Sequence, residues 1–405
     1  MATLKEKTVS GVFWTGLAKI SMQFMLVAVI FILARLLSEA DFGIIAMAGI
    51  ITVAIGMVNE RGLGTAIIQK KNIPDNQLST MFWASIVFGS LLFSLGIGIA
   101  FPFARFYNEQ LVKPVIIIMS TGFFIGSFGI VQKALLTKEM VFKKLAIIEM
   151  SAVTVSGISA IIMALLNYGV WSLVVLALLR DFISVILLWF VSKWRPALHF
   201  SWKEFKELLG FSASVLGNDV ALYLVTNADI TIIGKVLGKV SLGYYSLALN
   251  LVKMPVTRLS AIVARVVFPA FSELQDDLLS FKKSFLRSVT FISLITFPLL
   301  AGLAVFNREF IIVFLGEKWL PMTTPLIILI PMAMLKSVGS IKGSVLMACG
   351  KPEIELKWNL VYLLPLITAV LFGTRYGLTG AATAFTLLYM ITFPVYSILP
   401  ISKLI

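Results

Sequence analysis

The chain has 405 residues, 59% of them hydrophobic and only 13% charged, with a mean hydropathy of +0.98. A soluble protein of this length needs more polar surface, so the composition excludes one and points to a polytopic membrane protein. The net charge of +14 fits cytoplasmic loops facing anionic lipid rather than nucleic acid, the single cysteine (Cys349) excludes a disulfide framework, and the single histidine (His199) leaves no histidine metal site.

In chain order, the polar start "MATLKEKTVSG" leads into an apolar stretch too long for a cleaved signal peptide, and this is the first predicted span. Crossing the hydrocarbon core takes about 20 apolar residues. On that criterion the sequence predicts about twelve helices, near 11–33, 43–68, 78–104, 112–134, 145–166, 169–191, 208–232, 243–270, 286–306, 322–348, 358–374 and 377–400. The fold class is therefore all-α, in two six-helix bundles: 1–192 and 208–405, joined by a basic, aromatic stretch at 193–207 that reads as an amphipathic cytoplasmic linker. Loops after odd-numbered spans hold eight Lys and Arg; the tails and the remaining loops hold seventeen. That bias predicts both termini in the cytoplasm.

Three weak internal matches fall at corresponding places in the two halves. "ARLLSEADFG" (34–43) aligns with "GKVLGKVSLG" (234–243) at a separation of 200. "NYGVWSLVV" (167–175) aligns with "RYGLTGAAT" (375–383) near 208, and "ARFYNEQ" (104–110) with "VFLGEKW" (313–319) near 209. Six spans per half is an even number, so the halves share one orientation and are expected to be related by a pseudo-two-fold axis along the membrane normal. Transporters built this way bind substrate near the midplane between their halves. Arg35, Glu39 and Asp41 fall in an outer turn and have an expected structural role.

Nine basic residues fall inside predicted spans, against five acids: Glu60, Glu149, Asp181, Asp219 and Asp229. An ionised side chain at the bilayer centre costs about 2.5–3.5 kcal/mol on the insertion scale, so such groups face a wet interior or each other. The expected substrate-binding cations are Lys19, Arg180, Lys253, Arg258 and Lys336. Glu60, Asp181, Asp219 and Asp229 are the candidates for ion coupling or charge balance. Lys19 and Asp219 correspond at a separation of 200 and are expected to pair. Pro255, inside the eighth span, is the candidate hinge. The cationic excess suits an anionic substrate such as a pyrophosphate headgroup. Outer loops of about ten residues leave no domain for chemistry, so an enzyme is not expected, nor is a cofactor, with H+ or Na+ the candidate coupling ions.

The stretch "LARLLSEADFGIIAMAGIITVAIGMVNERGLGTAIIQKKNIPDNQLSTMFWASI" (33–86) resembles the N-terminal region of the polysaccharide-transporter branch of the multidrug/oligosaccharidyl-lipid/polysaccharide exporter superfamily. It is most similar to the Wzx-type O-antigen and colanic-acid exporters. Further similarity runs through "ALLTKEMVFKKLAIIEM" (134–150), "NADITIIGKVLGKVSLGYYSLALNLVKMP" (227–255) and "VVFPAFSELQDD" (266–277). The resemblance implies a flippase in the bacterial cytoplasmic membrane that moves an undecaprenyl-pyrophosphate-linked glycan to the outer leaflet by alternating access. It implies membrane lipid, polysaccharide polymerase and chain-length machinery as further partners. A multidrug or cation antiporter of the same superfamily and a lipid II flippase are the alternatives. Relatives often carry up to two more helices after the twelfth span, beyond the point, "ISKLI", at which this sequence stops.

Overall fold

Backbone that crosses a bilayer must satisfy its own hydrogen bonds, and a helix does so within one segment. The computed structural model describes residues 4–61, 67, 73–202, 222–274, 277–350 and 353–398, and all regular structure among them is helical. The chain forms two compact units, Met1–Tyr223 and Leu224–Ile405.

The first unit holds α1 (Leu4–Leu36), α2 (Glu39–Arg61), α3 (Asp75–Tyr107), α4 (Val112–Ser127), α5 (Ile130–Lys138), α6 (Phe142–Leu165) and α7 (Val170–Val191). The second holds α8 (Ala228–Glu273), α9 (Leu278–Val305), α10 (Asn307–Phe310), α11 (Thr323–Gly339), α12 (Lys342–Ala348), α13 (Glu353–Thr374) and α14 (Gly377–Phe393). A π turn, Ile311–Leu315, and a 3-10 turn, Glu317–Met322, join α10 to α11.

Among the described residues, eight helices are long and apolar enough to cross a membrane, or nine if the bent pair α4–α5 is one span. Ser21–Leu36 and α14 are shorter apolar helices. The expected seventh span, 208–232, lies mostly outside the described residues.

The internal repeat is visible in the turns. α1 stops before Ser38, and α8 is two helices that meet at Gly238 (φ 77°, ψ −178°), 200 residues later. Gly169 (φ 55°) and Gly377 (φ 72°) open α7 and α14 at a separation of 208. Asn108 (φ 54°) and Gly316 (φ 100°) also lie 208 apart, so the third match is one residue shorter than the sequence alignment suggests. A fourth pair, Met140 (φ 59°) and Gly350 (φ 66°), went unread because the flanking residues differ. Helix pairing repeats too: α3 packs on α4, α6 on α7 and α4 on α7 in the first unit, and α9 on α11, α13 on α14 and α11 on α14 in the second.

Local chemistry explains several of these joints. Ser38 and Asp41 form a capping box: the Ser38 N–H and hydroxyl both donate to Asp41 Oδ2 (2.9 and 2.6 Å), and the Asp41 N–H donates back to Ser38 Oγ (3.3 Å). α4 and α5 meet at a 48° bend around Phe128 and Gly129. The indole N–H of Trp189 on α7 donates to the Phe128 carbonyl at 2.9 Å, which places a side-chain donor on backbone at the bend. Phe82 stands at the centre of this corner, edge-on to Trp83, Phe128, Trp189 and Trp194. α3 and α4 approach through small residues: a Cβ on Gly89 would lie 2.8 Å from the Phe123 carbonyl and from Ser127 Cβ, and one on Gly96 would overlap Ser120.

Residues 193–200, the first part of the expected amphipathic linker, form an extended strap on the first unit. Trp83 Nε1 donates to the Ala197 carbonyl (2.9 Å), and the Ala197 and Ser201 N–H groups donate to Ser79 Oγ and Thr80 Oγ1 (3.0 and 3.2 Å). Arg195 donates to the carbonyls of Trp189, Ser192 and Trp194. Residues 203–207 lie outside the described residues.

Candidate functional site

The second unit gathers three of the sequence-predicted charges. Asp229 opens α8 and is fully buried. Tyr245, past the Gly238 break and equally buried, donates its hydroxyl to Asp229 Oδ2 at 2.7 Å. Lys253, two turns further along α8, and Lys336, near the end of α11, are half-buried. The Asp229 carboxylate attracts both ammonium groups, and the two ammonium groups repel each other. Asp229 Oδ1 accepts no hydrogen bond, and neither lysine is within the 4.0 Å of an ion pair with the carboxylate.

The helices hold this arrangement by packing. The Thr296 hydroxyl on α9 donates to Ser337 Oγ on α11 at 3.0 Å, and Ser337 donates to the Met334 carbonyl at 2.7 Å. Both residues are fully buried. This pins the turn that carries Lys336. α8 keeps helical φ/ψ through Pro255, and its break lies at Gly238. Pro255 removes one N–H from the ladder, which frees the Leu251 carbonyl half a turn from Lys253.

This group of two lysines and one carboxylate lies within the apolar part of the chain, where charge is costly to desolvate. It is also private to the second unit. At the repeat separation of 200, Asp229, Tyr245 and Lys253 correspond to Val29, Ile45 and Val53, all apolar.

Arg180 and Asp181, neighbours on α7, pair with each other at 3.5 Å with side chains 46% and 43% exposed. Arg258 lies on α8 in an exposed position. Lys19 and Glu60 lie in α1 and α2, but their side chains fall outside the described residues, as does Asp219 altogether. The expected Lys19–Asp219 pairing is therefore outside the described residues as well. Sequence reading missed Tyr245: its signal was the second phenol of the Tyr244–Tyr245 pair, eight residues before an intramembrane lysine, inside a run otherwise read as apolar.

The fold defines the class of protein. The chain superposes on a lipid II flippase, MurJ, in an inward closed conformation with a TM-score of 0.74 at 15% identity, covering 96% of this chain and 87% of that one. It superposes on an inward-facing multidrug-resistance MATE transporter of the MOP superfamily with a TM-score of 0.73 at 14% identity, covering 95% and 94%. It thus has the all-helical fold of that transporter superfamily. Sequence similarity narrows the class. The profile of the polysaccharide biosynthesis protein family matches residues 32–324, and the chain belongs to this family. It is 30% identical to a membrane protein from the cps region of Klebsiella pneumoniae, covering 95% of this chain and 80% of that one. It is 29% identical to the lipopolysaccharide biosynthesis protein WzxC of Escherichia coli (96% and 80%) and to the teichuronic acid biosynthesis protein TuaB of Bacillus subtilis (92% and 79%).

Proposed function

We propose that this protein is a flippase for a lipid-linked oligosaccharide. It carries an undecaprenyl-pyrophosphate-linked glycan from the inner to the outer leaflet of the bacterial cytoplasmic membrane by alternating access, with both termini in the cytoplasm. The observation that carries the reading is membership of the polysaccharide biosynthesis family, matched over residues 32–324, and Lys253 and Lys336, half-buried in the apolar part of the second unit, support it. A pyrophosphate supplies the charge this cluster lacks, and ammonium groups are compact phosphate binders. The lipid tail needs no passage through protein, since it stays in hydrocarbon throughout. Tyr245 positions Asp229 through its 2.7 Å hydrogen bond. Membership of the polysaccharide biosynthesis family supports a glycan cargo, and the cationic excess disfavours a cationic drug.

The test is translocation in proteoliposomes of a fluorescent polyprenyl-pyrophosphate glycan. Lys253→Gln with Lys336→Gln is expected to lose transport more than tenfold, whereas Lys253→Arg with Lys336→Arg retains most of it. Full transport by the Gln pair would remove the cluster from the substrate path. Export of cationic dyes by the wild type, without glycan movement, would overturn the flippase reading itself.

A further inference from the structure

One face of α9 lies outside the cluster just described. Lys283, Leu286, Arg287, Thr290, Phe291 and Leu294 lie along one open face of this helix. Their spacing of three and four places them in a single stripe. Leu286, Phe291 and Leu294 are 53%, 54% and 70% exposed. The Thr290 hydroxyl is committed to the Leu286 carbonyl at 2.9 Å, so the stripe below the cations is apolar in effect. Lys283 and Arg287 are one turn apart and both exposed. α9 contains no acidic residue, and Asp277, just before it, accepts from the Ser280 N–H at 3.1 Å as the helix cap.

We infer that this face is a docking site for one anionic phospholipid, with its phosphate between Lys283 and Arg287 and one acyl chain along Leu286, Phe291 and Leu294. The dimensions fit a single leaflet. Lys283 to Leu294 spans eleven helical rises, about 16 Å, and half of a hydrocarbon core is about 15 Å. Charge decides against the other apolar occupant, a second copy of the chain. A symmetric contact brings the same patch to itself, and here it would set Lys283 and Arg287 against their own images. An anionic headgroup meets both cations with opposite charge.

Native mass spectrometry of the full chain, titrated with phosphatidylglycerol or phosphatidylcholine, tests this. The expected result is one tightly retained phosphatidylglycerol and no matching retention of phosphatidylcholine. Each cation near an anionic headgroup contributes about fivefold in affinity, so Lys283→Gln with Arg287→Gln should weaken retention about thirtyfold. Lys283→Arg should leave it intact. Equal retention of the two lipids by the wild type, unchanged retention by the Gln pair, or a dimer that dissociates on adding either lipid would each overturn the proposal. The wild-type comparison reads out even if a variant fails to fold.

Discussion

Replacing Tyr245 with Phe removes one oxygen and little else. The structure makes that oxygen expensive: it donates at 2.7 Å to a fully buried carboxylate whose other oxygen already lacks a donor. A hydrogen bond to a charged group is worth about 1.5–3 kcal/mol. A middle value of about 2 kcal/mol lowers the melting temperature by about 4–8 °C for a unit of this size. The loss should be concentrated in the second unit, because both partners lie there. The assay is a double-mutant cycle with Tyr245→Phe and Asp229→Asn, read by thermal unfolding in detergent and by glycan transport. The expected coupling is about 2 kcal/mol, with the double variant little worse than Asp229→Asn alone. If the two changes add to within about 0.5 kcal/mol, the residues are energetically independent and the reasoning fails.

Trp189→Phe keeps the ring in the aromatic corner but leaves the Phe128 carbonyl without its indole donor; a loss of about 1–2 kcal/mol in denaturant unfolding is expected, and no loss would mean that water or backbone replaces it. Gly89→Val forces a side chain against the Phe123 carbonyl and Ser127, so α3 and α4 must separate. Overpacking of this kind costs about 1–3 kcal/mol, measurable as a lower melting temperature, while Gly98→Ala, whose added Cβ meets nothing within 4 Å, should be silent. Ser280, through its hydroxyl and its N–H, holds the Asp277 carboxyl below the ordinary value of 3.8. A depressed carboxyl stabilises the folded form above its unfolded pKa and loses that effect as pH falls through the folded one. The capped turn should therefore persist below pH 4 in a carboxyl-carbon NMR titration, and Ser280→Ala should move the midpoint upward.

Much of this architecture could be read in the sequence because membrane folding leaves the chain few options. Apolar run length predicted helices, and short polar interruptions predicted turns. Ser38 and Gly238, Gly169 and Gly377 stand where the internal repeat put them, since a turn in the left-handed region or an N-cap restricts residue type strongly. The cluster was partly legible: Asp229, Lys253 and Lys336 stood out as charges in apolar runs. Their association did not, because periodicity along one helix says nothing of which face meets which neighbour. Tyr245 was hidden for a related reason, as a phenol in an apolar run reads as core. The Trp189 bond to Phe128 joins residues 61 apart, and the strap from 193 to 200 is held by partners more than a hundred residues away; neither leaves a local signature.

The bend between α4 and α5 also has a geometric consequence for the bilayer. The two arms hold sixteen and nine residues. Laid end to end they reach about 37 Å, but at 48° the second arm adds only about 9 Å along the axis of the first, for a reach of about 33 Å. That is close to a hydrocarbon thickness of about 30 Å. Most long spans settle hydrophobic mismatch by tilting as a whole. Taken as one span, α4–α5 settles it with an elbow braced by an indole, which shortens its reach toward the membrane thickness and leaves its first arm free to take its angle from its neighbours.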